Sequence, residues 1–302
     1  MANVSTIEGV RVSADHWIGG VHVPSSDMFL DRSPIDGELL AMVARGGRKE
    51  AGESVAVARR AFEVWGNTAP DTRAKILHRI GEAIERCVNE LAIVETTDNG
   101  SLFRSMRKDV MPRAAQSFYA SADQLLALRE DGLETDGHTN RVRWEPAGVA
   151  VLITPWSAPF MLASWKVAPA LAAGDTVVLK PAEWAPLTAS MMADIAREAG
   201  LPDGVLNVVQ GIGEEAGAAL VANPGVDRIS FTGSVATGKL VAEAAGANLT
   251  PVSLELGGKS PFICFADADL DAAVAQAVNQ YDNAGQACLA GTRLLVQREV
   301  YE

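Results

Sequence analysis

Between residues 148 and 256 the chain alternates short, uninterrupted apolar runs with helix-forming stretches, and this alternation limits the possible folds more than any other feature. The runs lie at 149–154, 176–180, 205–209, 228–231 and 252–256. Between them come an Ala-rich stretch at 159–173 closed by Gly174, one at 187–199 closed by Gly200, one opening after Gly211-Ile212-Gly213, and one at 235–245. Apolar strands joined through helices pair in parallel, because each crossover helix covers one face of the sheet. The expectation is an α/β protein built on a doubly wound parallel sheet.

Upstream the pattern differs. Residues 16–43 read as short extended pieces with turns at Ile18-Gly19-Gly20 and Pro34-Ile35-Asp36-Gly37. Helices follow at 49–65, with Val55, Ala58, Ala61, Phe62 and Trp65 on one face, and from Pro70, with Ile76, Leu77, Ile80, Ala83 and Ile84 spaced for a core. A third helix starts near Asn89 and closes at Asp98-Asn99-Gly100. Residues 102–129 read as one long helix kinked at Pro112. A projecting hairpin, turning at Asp136-Gly137, is expected at about 130–146. Domain boundaries are expected as 1–256, with this hairpin, and 257–302, the incomplete start of a second α/β unit.

In a doubly wound sheet, ligands sit at the carboxyl ends of the strands. Here those ends carry unusual residues: Pro155-Trp156-Ser157, Lys180-Pro181-Ala182-Glu183, Thr232-Gly233-Ser234, and Glu255 within the last run. Gly233-Ser234 at a helix start offers N–H groups and a hydroxyl to a pyrophosphate, although a serine there is more often only a helix cap. Lys180 and Glu183 form a cation and an acceptor three residues apart. A carboxylate there accepts hydrogen bonds from a ribose diol and repels a 2′-phosphate, which favours NAD over NADP; a surface ion pair is the plainer alternative. Gly211, Gly213 and Gly217 have the wrong spacing for a dinucleotide fingerprint and read as the opening of a helix.

Two later segments carry reactive groups. Glu255 lies between Leu254 and Leu256, ahead of Gly257-Gly258, where partial desolvation would raise its pKa toward that of a general base. Cys288 stands in Gly285-Gln286-Ala287-Cys288-Leu289-Ala290-Gly291, an approachable turn suited to a thiolate nucleophile. Taken alone, a cysteine is usually a small buried hydrophobe, and a glutamate a solvated or paired carboxylate.

Composition excludes other classes. The formal charge of -12, from 26 basic and 38 acidic residues, disfavours nucleic acid and anionic membranes as partners. No apolar run approaches the roughly twenty residues of a membrane span. Cys87, Cys264 and Cys288 cannot all pair within one chain, and the four histidines show no metal-ligand spacing, so no metal is expected. The polar N-terminus shows no signal-peptide pattern, and a cytoplasmic location is the default.

Taken together, Glu145-Pro146-Ala147-Gly148-Val149, Pro155-Trp156, 165–171, Lys180-Pro181-Ala182-Glu183, Phe231-Thr232-Gly233-Ser234, Glu255-Leu256-Gly257-Gly258-Lys259 and Gly285-Gln286-Ala287-Cys288 resemble the aldehyde dehydrogenase superfamily, in the family's order over almost the whole chain. Residues 107–183 look most like members acting on semialdehydes of aromatic breakdown, such as the carboxymethyl-hydroxymuconate semialdehyde dehydrogenases. The resemblance implies a Rossmann-like cofactor domain, NAD as cofactor, a small aldehyde as substrate and a homo-oligomer for the complete protein. It implies that Cys288 attacks the aldehyde, that the Cys288 N–H and a side chain at Ser157 hold the oxyanion, and that Glu255 activates water. Ile153, Trp156, Lys180, Glu183, Gly233 and Ser234 would contact NAD, and Lys166 would join a proton path.

Two departures stand out. The family usually has Asn after Pro-Trp, where this chain has Ser157. The chain also stops at Glu302, just past the nucleophile, so a piece of a longer protein is expected. Two other readings remain. One is an acylating dehydrogenase that passes its thioester to coenzyme A, disfavoured by Glu255. The other is a nucleotide-binding fragment without turnover.

Overall fold

The computed structural model describes residues 3–301. Its centre is a seven-stranded sheet whose five parallel strands coincide with the five apolar runs: β9 (Val149–Ile153), β10 (Thr176–Lys180), β11 (Leu206–Val208), β12 (Arg228–Gly233) and β13 (Val252–Leu256). Their spatial order is β13-β12-β9-β10-β11. The chain thus builds outward from β9 to one edge, returns to the centre, and builds outward again. β9 and β10 are buried almost throughout, which explains why they carry apolar side chains on both faces.

The crossover helices are α6 (Pro159–Ala173), α7 (Leu187–Glu198), α8 (Ala218–Val221, preceded by a π-helical stretch, Gly213–Gly217) and α9 (Val235–Ala247). α6 and α7 end at Gly174 and Gly200, whose φ angles of 97° and 93° lie in the left-handed region that favours glycine. The sheet separates two apolar layers. One packs Leu152, Val177 and Leu179 against α6, α7 and the preceding helices; the other packs Val151, Val178 and Ile229 against α1 (Arg48–Trp65) and α9.

The first third of the chain wraps this sheet. A short hairpin, β1 (Val4–Ile7) with β2 (Val10–Ser13), precedes β3 (His16–Ile18) and β4 (Val21–Val23), then a pair, β5 (Met28–Arg32) with β6 (Leu39–Ala44). β3 is not an isolated surface piece: it joins the main sheet antiparallel to β11, and β4 extends the edge. After α1 come α2 (Pro70–Arg86) and α3 (Val88–Asn99). The long helix expected at 102–129 runs unbroken over 103–127, as α4 (Phe103–Ser105), a π-helical stretch (Met106–Val110) and α5 (Met111–Ala127). Pro112 lies inside this helical run, directly after the π-helical stretch, whose widened turn accommodates the missing N–H. The hairpin β7 (Asp131–Thr135) and β8 (His138–Val142) is exposed along its whole length.

Beyond the main sheet, β14 (Pro261–Cys264) and β15 (Arg293–Val296) form a separate parallel pair, with α10 (Leu270–Asn279) between them. Ile263, Phe265, Leu294 and Leu295 are more than half exposed in this region. No helix among the described residues is long and apolar enough to cross a membrane.

Candidate active site

The strand order reverses between β9 and β12, so the chain leaves those two strands in opposite directions, the switch point at whose carboxyl edge sheets of this kind take their ligands. The register sets what borders it. Ile153, the last residue of β9, pairs with Lys180 on one flank and Phe231 on the other, and Thr232 of β12 pairs with Glu255 of β13. Residues far apart in sequence thereby share one edge.

Lys180 is 1% exposed, and its Nζ lies 3.1 Å from Oε2 of the half-buried Glu183. The surface ion pair is therefore excluded: this is an interior cation with one fixed partner. Burial pushes the Lys180 pKa down, and Glu183 pulls it partly back. For Glu183 burial acts upward, but the Lys180 charge and hydrogen bonds outweigh it and hold the carboxyl below its usual range. The other Glu183 oxygen accepts from the Gly213 N–H at 3.5 Å. Gly211 and Gly213 thus serve a local purpose, bringing the opening of α8 against this carboxylate.

The turn after β9 is fixed from below. Asn99 of α3 donates its Nδ2 to the Trp156 carbonyl at 3.2 Å. The Phe160 N–H, in the first turn of α6, donates to Glu95 Oε2 at 3.0 Å. Ser157 lies between these contacts, half-buried, and its hydroxyl has no hydrogen-bond partner among the described residues. Ser234 is the cap of α9: its Oγ accepts from the Thr237 N–H at 3.1 Å.

Glu255 differs from expectation. It is exposed, as is Leu256, so its flanking leucines do not desolvate it. Its charge acts on Lys166 of α6, whose Nζ donates to Ser230 Oγ at 2.6 Å. Burial lowers the Lys166 pKa to about 8, and the Glu255 charge opposes that shift. A cation able to lose its proton near neutrality therefore lies in the field of the carboxylate.

Cys288 lies exposed in the turn between α10 and β15. No hydrogen bond among the described residues joins its turn to Glu255. Instead the segment is tied elsewhere: Asp282 accepts from Ser105 Oγ at 2.9 Å and from Arg104 at 3.3 Å, and the Gly291 N–H donates to Gln280 Oε1 at 2.6 Å. The structure thus gathers Ile153, Trp156, Ser157, Lys180, Glu183, Gly233, Ser234 and Glu255 at one edge and leaves Cys288 on a separate loop. Cys264 is buried, and Cys87 is packed at the core with its thiol pKa raised by burial.

Sequence reading missed Glu95 and Asn99. A signal existed: Leu91, Val94, Glu95 and Asp98 recur at i, i+3, i+4 and i+7, and all four are buried. Two carboxyls on a buried stripe ask for partners.

The profile of the aldehyde dehydrogenase family matches residues 22–302. The chain is 42% identical over 289 residues to 5-carboxymethyl-2-hydroxymuconate semialdehyde dehydrogenase of Escherichia coli, covering 95% of this chain and 61% of that protein. It is 42% identical over 281 residues to betaine aldehyde dehydrogenase of Bacillus subtilis, covering 89% of this chain and 56% of that one. Among solved structures, indole-3-acetaldehyde dehydrogenase AldA of P. syringae, crystallised with NAD+ and IAA, superposes with a TM-score of 0.95 at 38% identity, covering 97% of this chain and 61% of that chain. HpcC of Thermus thermophilus gives 0.90 at 43% identity, covering 95% of this chain and 57% of that one. The chain thus spans about 60% of the length of the curated relatives it matches.

Proposed function

Since this chain belongs to the aldehyde dehydrogenase family, we propose that the protein of which it is the described part oxidises an aldehyde or semialdehyde to a carboxylic acid with NAD. The observation that carries this reading is the convergence of Lys180–Glu183, the 155–157 turn, Gly233-Ser234 and Glu255 on one sheet edge at the switch point. The donor set fits NAD. Glu183 presents an ionised carboxylate beside a buried ammonium, suited to a ribose diol and hostile to a 2′-phosphate. Several relatives crystallised with NAD+ support the same cofactor.

In this reading the Cys288 thiolate adds to the carbonyl carbon, forming a C–S bond and an oxyanion. The Cys288 N–H and the Ser157 hydroxyl donate to that oxyanion. NAD, when bound, supplies the hydride acceptor that turns the adduct into a thioester. Glu255 takes a proton from water, the water oxygen attacks the thioester carbon, and the C–S bond breaks to release the acid and the thiolate. Lys166 first releases its own proton to solvent and then takes the one from Glu255, and its pKa of about 8 leaves a neutral fraction for that exchange. Ile153, Trp156, Gly233 and Ser234 complete the cofactor contacts.

Residues 1–256 form the cofactor domain with the 130–146 hairpin as a subunit contact, and 257–302 begin the catalytic domain. The complete protein is a cytoplasmic homo-oligomer with no nucleic-acid partner. Its substrate is a semialdehyde, by analogy with the muconic semialdehyde dehydrogenases among its relatives. The test is NADH formation by the whole protein with Cys288→Ser. Activity should fall by several orders of magnitude, as for other activated nucleophiles; an undiminished rate overturns the reading.

A second reading, NAD binding without turnover, applies to the described chain itself. Cys288 sits on an exposed loop tied to α4 rather than to Glu255, which favours it. NAD binding measured beside NADH production separates the two.

A further inference from the structure

Helix α3 carries two polar side chains that the proposed reaction does not use, and both reach the turn after β9. Glu95 is fully buried; its Oε2 accepts from the Phe160 N–H at 3.0 Å and from Thr188 Oγ1 at 2.9 Å. Asn99 lies four residues on, hence on the same helix face. Its Oδ1 accepts from the Ser101 N–H at 2.9 Å, which fixes the amide so that Nδ2 faces the Trp156 carbonyl at 3.2 Å. One contact falls just before Ser157 and the other three residues after it.

The Phe160 N–H belongs to the first turn of α6, whose early amides lack intrahelical acceptors. Glu95 supplies one from another element. None of the ion pairs among the described residues includes Glu95, so a buried carboxyl without a cation is held where an apolar side chain would pack at less cost. What the carboxyl adds is geometry: it ties α3, α6 and α7 at one oxygen. The adenosine-side pair has other supports. Lys180 and Glu183 hold each other, Gly213 holds Glu183, and the Leu187 N–H at the start of α7 donates to Asp98.

We propose that Glu95 and Asn99 are positioning residues: α3 grips the 156–160 turn at two points and so sets where Trp156 and Ser157 meet the part of NAD beyond its adenosine. This rests on the cofactor reading above, and its test separates the two.

Calorimetric affinities of the described chain for NAD and for AMP provide that test. Asn99→Ala and Glu95→Ala should each weaken NAD binding about tenfold while changing AMP less than about twofold, the scale of one lost hydrogen bond confined to one part of a ligand. Glu95→Gln, which keeps an acceptor oxygen, should restore NAD affinity to within about threefold of the parent. Ile84→Val, a core change with no tie to the turn, should lower the Tm and leave both affinities unchanged. Where Glu95→Ala does not fold, Asn99→Ala and Glu95→Gln carry the comparison. NAD and AMP weakening together, Asn99→Ala binding like the parent, or Glu95→Gln binding tenfold more weakly than the parent would each overturn the proposal. A parent chain that binds AMP but not NAD overturns the cofactor reading and this inference with it.

Discussion

At position 157 a hydroxyl stands where the family usually places an amide, and the structure gives it no other hydrogen-bond partner among the described residues. A serine donor reaches less far than an asparagine. One oxyanion donor is worth roughly 3 kcal/mol in such reactions. Ser157→Asn in the whole protein should therefore raise kcat, by up to about a hundredfold if the native hydroxyl falls short; steady-state kinetics check it, and an unchanged or lower kcat counts against the assigned role. Glu95 leads to a second expectation. Burial raises its pKa to about 7, above the 4.5 of an exposed glutamate. Between those values the folded chain binds a proton that the unfolded chain does not, so this residue makes stability fall as pH rises through the window. Asp98 and Asp31 nearby are raised by burial too, while burial lowers His16 and gives the opposite slope below its usual value. Comparing the parent with Glu95→Gln cancels the contributions of Asp31 and His16, while Asp98, whose pKa the Glu95 charge also raises, shifts with it in the same direction. Urea denaturation from pH 5 to pH 7 should show the parent losing stability faster with pH than Glu95→Gln, by up to about 1.4 kcal/mol per pH unit.

Among the elements, α9 depends on its first residue. Ser234→Ala removes the acceptor of the Thr237 N–H and should cost about 1 kcal/mol, read as a lower urea midpoint at unchanged m-value. The five parallel strands were legible because residues such as Val177, Val178 and Leu179 are apolar on both faces, and only a sheet covered on both sides asks for that. β3 was not legible. Three residues are too short for a period, and the strand is fixed by Asn207 and Gln210, almost two hundred positions away. The π-helical stretch before Pro112 was equally silent, since the proline fits either a kink or a helix start. At the site, Lys180 and Glu183 could be named from their place at a strand end, but not the burial that makes them an interior pair. For Glu255 the flanking leucines misled: burial depends on which element covers the strand, not on sequence neighbours. Glu95 and Asn99 lay in a helix read only for its ends, and a buried partner for a polar side chain there comes from elements far along the chain.

For the molecule as a whole, the packed cofactor sheet contrasts with the two-stranded unit beyond residue 257. Ile263, Phe265, Leu294 and Leu295 are over half exposed there, whereas the core strands β9 and β10 are covered. Such regions open at low free energy and are cut first. Limited trypsin treatment of the chain should cleave at Lys259 or Arg293 before any site in the main sheet, leaving a fragment ending at 259 or 293 that still binds NAD. First cuts within 148–256 would refute that division of the chain.

The antiparallel seam between β3 and β11 bears on synthesis. The His16 ring receives its N–H donor from Gln210, 194 positions downstream. At translation speeds of about 5–20 residues per second, the leading strands wait on the order of ten seconds or more before their docking edge exists. During that interval the edge of β3 that will meet β11 lies open to other nascent chains. Pauses or crowding on the ribosome between those two points should therefore do more harm to yield than delays anywhere later in the message.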